Sequence, residues 1–133
     1  MNEDYATLVD HVLTLAKDRG ADDAEVMLSS GRNFSVAVRL GEIERVQEAA
    51  SRTLGLRVFK DGRTASRYTS DLTPRGLAQF VDRTLDLVQI ADRDPAAALP
   101  DWEERPEDPD LQLNDPAVEA LSTEEKIERA LRA

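Results

Sequence analysis

The chain has 133 residues, the size of one ordinary domain with a modest core; 41% are hydrophobic, 33% are charged, and the net charge is −10. There is no cysteine and a single histidine, His11, which excludes disulfides, thiolate zinc sites and cysteine nucleophiles and leaves too few soft donors for a metal centre of three or four ligands. No apolar run approaches the roughly 20 residues of a membrane span, and Met1-Asn-Glu-Asp4 is acidic where a secretory leader would be basic, so a cytoplasmic protein without membrane contact is expected.

Charge is spread unevenly. Residues 32 to 75 carry nine Lys/Arg against five Asp/Glu, and residues 92 to 133 carry five against thirteen. The basic middle is interrupted by Glu42, Glu44, Glu48, Asp61 and Asp71, which spoil a continuous phosphate track, so nucleic acid is not an expected partner.

In chain order, Tyr5, Leu8, Val9, Val12, Leu13 and Ala16 recur at helical spacing, and Gly20 stands where a left-handed terminator belongs; this predicts a helix over 4–19. His11 falls off the apolar stripe and reads as a solvated side chain. From Asp23 the period changes to two. Ala24, Val26 and Leu28, then Phe34, Val36, Val38 and Leu40, predict two strands separated by a turn at Ser30-Gly31-Arg32. Glu42 to Ala50 has mixed periodicity but is too short for a stable helix, and is expected to be a strand with a bulge. Ser51-Arg52 is expected to break it from the next strand, Leu54 to Phe59. Asp61-Gly62 is the pair favoured in tight hairpins, and Arg63 to Thr69 follows as the last strand.

The stretch Tyr68-Thr-Ser-Asp-Leu-Thr-Pro74 gathers three hydroxyls, a phenol and a carboxylate. A serine nucleophile at Ser70 would need a base, and the chain's one histidine lies far away in sequence. Thr73 before Pro74 instead reads as a helix N-cap followed by proline at the first helical position, opening a helix that Leu77, Phe80, Val81, Leu85 and Val88 carry to about Ala91. The stretch is therefore expected to be a joint, and no catalytic residue is assigned.

Residues 92 to 121 hold five prolines among acidic residues, so an extended strap or linker is expected there, pinned by Leu99, Trp102, Leu111, Leu113 and Val118. Ser122-Thr-Glu-Glu125 is a capping box opening a helix that the end of the chain is expected to cut short. The expected organisation is an α+β domain over 1–91, the strap over 92–121, and the beginning of a further helix over 122–133. Both long helices should cover one face of a meander of about five antiparallel strands. On the other face Arg39, Arg57, Arg63 and Arg67 are expected to form a cationic stripe that meets peptide or partner.

Taken in order, Gly20-Ala-Asp-Asp-Ala-Glu25, Val38-Arg-Leu-Gly-Glu42, Gly55-Leu-Arg-Val58, Asp61-Gly-Arg63, Thr69-Ser-Asp-Leu-Thr-Pro74 and Leu121-Ser-Thr-Glu-Glu-Lys-Ile127 resemble the N-terminal domain of the TldD/PmbA family over nearly the whole chain, closer to the PmbA (TldE) branch. The resemblance implies a non-catalytic domain of a cytosolic zinc metallopeptidase subunit, also labelled modulator of DNA gyrase. Such a domain would help to wall a heterodimer's chamber, hold a homologous TldD-like subunit and handle peptides or unfolded proteins. In the family the zinc ligands are a His-Glu-x-x-x-His motif and a cysteine of the TldD branch, beyond the matched region, so no ligand transfers to this chain and zinc is expected in the partner. The alternative is a free-standing module that binds a peptide or protein by adding it to an open sheet edge, without catalysis.

Overall fold

The structure, a computed structural model, describes residues 3–100 and 109–133, with side chains from Tyr5 onward. The centre of the expected strap, including Trp102, lies outside the described residues. In order the elements are α1 (Glu3–Asp18), β1 (Asp23–Arg39), β2 (Glu42–Lys60), β3 (Arg63–Thr69), α2 (Pro74–Ile90), α3 (Pro116–Glu119) and α4 (Thr123–Arg132). The fold is α+β, as expected. Among the described residues the sheet, however, has three strands in the order β1-β2-β3, not about five. The correction has one cause: Ser30-Gly31-Arg32 and Ser51-Arg52 do not break the chain. They run extended within β1 and β2. A Cβ on Gly31 would lie 3.8 Å from the Ser51 hydroxyl, so the two weak points face each other across the ladder. Glycine is as free to extend as to turn, and a continuing partner strand decides the matter. Glu42 to Ala50 is strand, as expected.

The chain divides into two compact units, Met1–Gly31 with Ser51–Asp101, and Arg32–Ala50 with Trp102–Ala133. In the first unit, β2 and β3 pair antiparallel about the Asp61-Gly62 turn, with Lys60 opposite Arg63, Val58 opposite Ala65, Leu56 opposite Arg67 and Gly55 opposite Tyr68. Asp61 and Gly62 both have positive φ, 52° and 67°, the geometry of a two-residue hairpin turn whose twist matches the strands. Leu54, Leu56 and Val58 alternate along β2 and are buried on one face. They share a single cluster with Val12 and Ala16 of α1 and Leu77, Val81 and Val88 of α2, so both helices cover that face. Each fully buried aliphatic side chain stabilises this unit by about 1.5–3 kcal/mol.

The helix ends explain how the sequence places these layers. At the end of α1, Gly20 takes φ +92°, its N–H donates to Lys17 O, and the Ala21 N–H donates to Ala16 O, a left-handed termination that turns the chain into β1. Asp22 then accepts from the Asp61 N–H, tying this corner to the β2–β3 turn. Arg19 crosses from α1 to α2, pairing with Asp82 at 2.9 Å and donating to the Ala78 carbonyl. The only buried polar side chain among the described residues, Thr84, donates to Phe80 O within α2, so its hydroxyl is not left unsatisfied. Past α2, the Arg93 Nε donates to Asp61 O and the Asp94 N–H to Gly62 O, holding the start of the strap against the same turn.

The second unit contains the outer part of the β1–β2 ribbon and the two short helices. The ribbon turns at Leu40-Gly41, both with positive φ. α4 opens with the expected capping box: Ser122 accepts from the Glu125 N–H while Glu125 accepts from the Ser122 N–H. The Lys126 ammonium stands 5.1 Å from the centre of the Phe34 ring. α3 was not expected inside a proline-rich strap. Its cause is the device that starts α2, an N-cap followed by proline: Asp115 accepts from the Ala117 N–H, and Pro116 occupies the first helical position. No described residue of this unit is buried.

Candidate functional site

The face of the sheet away from the helices carries two cross-strand rows. In one, Arg57 of β2 lies opposite Ser66 of β3 and pairs with Glu25 of β1 at 3.2 Å, its Nε 3.4 Å from the Ser66 hydroxyl. In the next, Gly55 lies opposite Tyr68. The phenol ring rests over the glycine so closely that a Cβ would collide with it. Met27 of β1 flanks the same position through its backbone carbonyl. Tyr68 is 67% exposed and Met27 62%, so this face joins a guanidinium–carboxylate pair to an aromatic and a thioether open to solvent. Met27 and Tyr68 have no place in the arginine stripe expected from sequence.

The four arginines do not assemble into one stripe. Arg57 lies on the open face. Arg67 is opposite Leu56, hence on the helix-covered face, with its guanidinium 6.0 Å from the Phe80 ring centre. Arg63, opposite Lys60, is on that face too; its Nε is buried and has no hydrogen-bond partner among the described residues. Arg39 belongs to the second unit, exposed, 3.9 Å from Glu44. The separating signal was in the sequence: a two-residue Asp61-Gly62 turn pairs Lys60 with Arg63, and counting back along an alternating ladder puts Arg67 across from Leu56 rather than Arg57.

Tyr68 to Pro74 is a chain of caps. The Thr69 hydroxyl accepts from the Asp71 N–H at 3.1 Å, and Asp71 Oδ1 accepts from both the Thr73 N–H and the Thr73 hydroxyl, at 3.0 and 2.7 Å. The Thr73 hydroxyl in turn accepts from the Gly76 N–H at 3.1 Å, capping α2. Asp71's carboxylate occupies the space a side chain at position 76 would need, which explains the glycine there. The Thr73 hydroxyl, then the Thr73 N–H, hold the Asp71 carboxyl below the ordinary aspartate range, with slight desolvation opposing them. Ser70 is exposed and its hydroxyl makes no hydrogen bond among the described residues. His11 is exposed on α1. Among the described residues no three of His, Cys, Asp and Glu converge as a metal site, and no helix is long and apolar enough to cross a membrane.

The comparisons with known proteins agree on one family. Residues 24–91 match PmbA/TldA metallopeptidase domain 1. Over 126 residues, 94% of this chain, the sequence is 37% identical to the metalloprotease PmbA of Escherichia coli O157:H7 and 30% identical to a metalloprotease PmbA homolog of Haemophilus influenzae. The chain spans about a quarter of the length of these curated relatives, 27% of each. A proposed modulator of DNA gyrase from Bacteroides thetaiotaomicron has a similar structure, with a TM-score of 0.85 and 28% identity over 96% of this chain and 29% of that one. TldE from Thermococcus kodakarensis shares the fold, with a TM-score of 0.77 at 15% identity over 94% of this chain and 28% of that one. Sequence and fold together show that this chain belongs to the PmbA/TldD metallopeptidase family and corresponds to its first domain.

Proposed function

We propose that the chain is the non-catalytic N-terminal domain of a PmbA/TldE-type subunit, which helps to wall the chamber of a cytoplasmic heterodimeric peptidase, holds a homologous TldD-like subunit and handles peptide or unfolded protein. The observation that carries this reading is a match to the first domain of a metallopeptidase family in a chain whose donors do not suit the metal. One exposed histidine and carboxylates that do not converge among the described residues cannot supply the three or four ligands of a catalytic zinc. No hydrolytic step is therefore assigned to these residues; on this reading the zinc belongs to the TldD-like partner, as the resemblance implies. The chain's own contribution is a helix-backed sheet whose open face offers Arg57, Tyr68 and Met27 for contact, with Arg39 available at the ribbon turn. Arg63 and Arg67 can reach a peptide or partner only from the helix side.

Purified chain titrated with zinc in a calorimeter should show no stoichiometric tight binding and should leave an unstructured peptide intact. Chelator-sensitive hydrolysis by the chain alone would overturn the reading. The complete subunit should co-elute with its TldD-like partner, and peptidase activity should need both; full activity of the partner alone would count equally against it.

A further inference from the structure

The sheet of the first unit has two edges, β1 and β3, and they are defended unequally. β3 is seven residues long, carries Arg63 and Arg67, and packs against α2. Between Asp23 and Gly31, β1 contains neither lysine nor proline, two of the usual devices that keep a free edge from pairing. Its outward backbone groups have no strand partner among the described residues. Beside this edge the outer flank of α1 sets half-buried Tyr5, Ala6 and Val9 next to Val26 and Leu28, forming a groove of about 610 Å³. The charged residues lining it are Asp10 and Glu25. Asp10 has no ion-pair partner among the described residues, while Glu25 is shared with Arg57. At the far end the Tyr5 hydroxyl lies 3.4 Å from that of Ser30, and Arg52 stands 5.8 Å from the Tyr5 ring centre.

We propose that this groove takes an extended peptide as a fourth strand. Its backbone pairs with the outer edge of β1 along Ala24 to Leu28, alternate apolar side chains enter between α1 and β1, and a lysine or arginine lies against Asp10 and Glu25. This rests on the peptide-handling reading above and gives it a location and a ligand chemistry. Main-chain pairing supplies affinity that is indifferent to sequence, and the groove supplies preference for every second side chain. Five residues at about 3.3 Å each cover roughly 17 Å of edge. The acidic rim selects the cationic end by charge complementarity.

The probe is a fluorescent seven-residue peptide of alternating valine and threonine with lysine at both ends, followed by anisotropy. Two companions carry N-methyl groups on one or the other alternate set of amides, and a third has glutamate at both ends. The expected result is saturable binding of the first peptide, at least tenfold weaker binding of one methylated form and of the glutamate-ended form, and at least tenfold loss with Val9→Glu at an unchanged melting temperature. Asp10→Lys, an exposed change that spares the fold, should reverse the preference between lysine and glutamate ends, while Ser70→Ala, an exposed change outside the groove, should change nothing. Binding indifferent to both methylation patterns and to Asp10→Lys overturns the groove but leaves peptide handling elsewhere on the domain. Absence of binding by every peptide overturns both. A chain dimer that Val9→Glu dissociates and the peptide does not displace would make the occupant a second copy and likewise overturn the proposal.

Discussion

β2 runs through both units, and its two halves follow the same backbone geometry to opposite outcomes. From Leu54 onward every second side chain is buried, with Leu54 and Val58 at 0% exposure. From Glu42 to Thr53 every residue is exposed, Ile43 and Val46 included. Propensity does not separate the halves, since both contain β-branched and charged residues and both form the ladder. What differs is a layer to pack against: α1 and α2 cover one half, whereas the second unit buries no described residue. Hydrogen bonding makes a strand; side-chain burial makes it stable, and a two-stranded ribbon without a packed face is marginal in water.

That contrast can be broken most directly by native-state hydrogen exchange. The amides of Leu54 to Phe59 should exchange only through global opening and those of Glu42 to Ala50 at nearly unfolded rates, a ratio of about a thousandfold or more. Comparable protection in both halves would mean that the outer ribbon is stabilised by something other than burial. The same difference should appear in mutational cost. Leu56→Ala is expected to lower stability by about 2–5 kcal/mol through lost transfer energy and a cavity, while Ile43→Ala on the same strand should stay within about 0.5 kcal/mol; denaturant melts of both variants give the comparison.

A smaller test probes the joint that starts α2 in the packed unit. Thr73→Ala should cost about 1 kcal/mol by leaving the Gly76 N–H unsatisfied, and Ser70→Ala should be nearly silent, measured as shifts in denaturation midpoint. The smallest effect is the pH dependence of Asp71. Its folded pKa is depressed, so its contribution is fully present above the ordinary aspartate value and is lost as the pH falls through the lower folded one. The melting-temperature gap between wild type and Asp71→Asn should therefore narrow in acid; a gap independent of pH would mean that the carboxylate's charge is immaterial to the cap.

Local chemistry was legible in the sequence wherever a few adjacent residues decide it. Gly20, Asp61-Gly62, Thr73-Pro74 and the Ser122 capping box each specify their own backbone. Strand continuity was not legible, because Gly31 and Ser51 look like breaks until each is seen to have the other across the ladder. The arginine faces were not legible for a related reason: which face a side chain takes depends on register between strands, and Arg67 follows Leu56 only once the hairpin is closed. The groove along β1 was hidden because Tyr5 and Val9 belong to the same apolar helical stripe as Val12 and Ala16, and only the width of the sheet decides which of them it covers.

The bridge from Arg19 to Ala78 and Asp82 also has a bearing on time. Its hydrogen bond to Ala78 joins residues 59 apart in the chain, whereas the β2–β3 pairing closes over two. Contacts of short sequence separation form early and long closures form late, because loop entropy must be met first. A bridge made after the transition state weighs on escape from the native state rather than on the way in. Arg19→Met should therefore steepen the loss of structure, raising the unfolding rate in a chevron plot while leaving the refolding limb almost where it was, and α1 would be held in place by a latch whose effect is measured in lifetime.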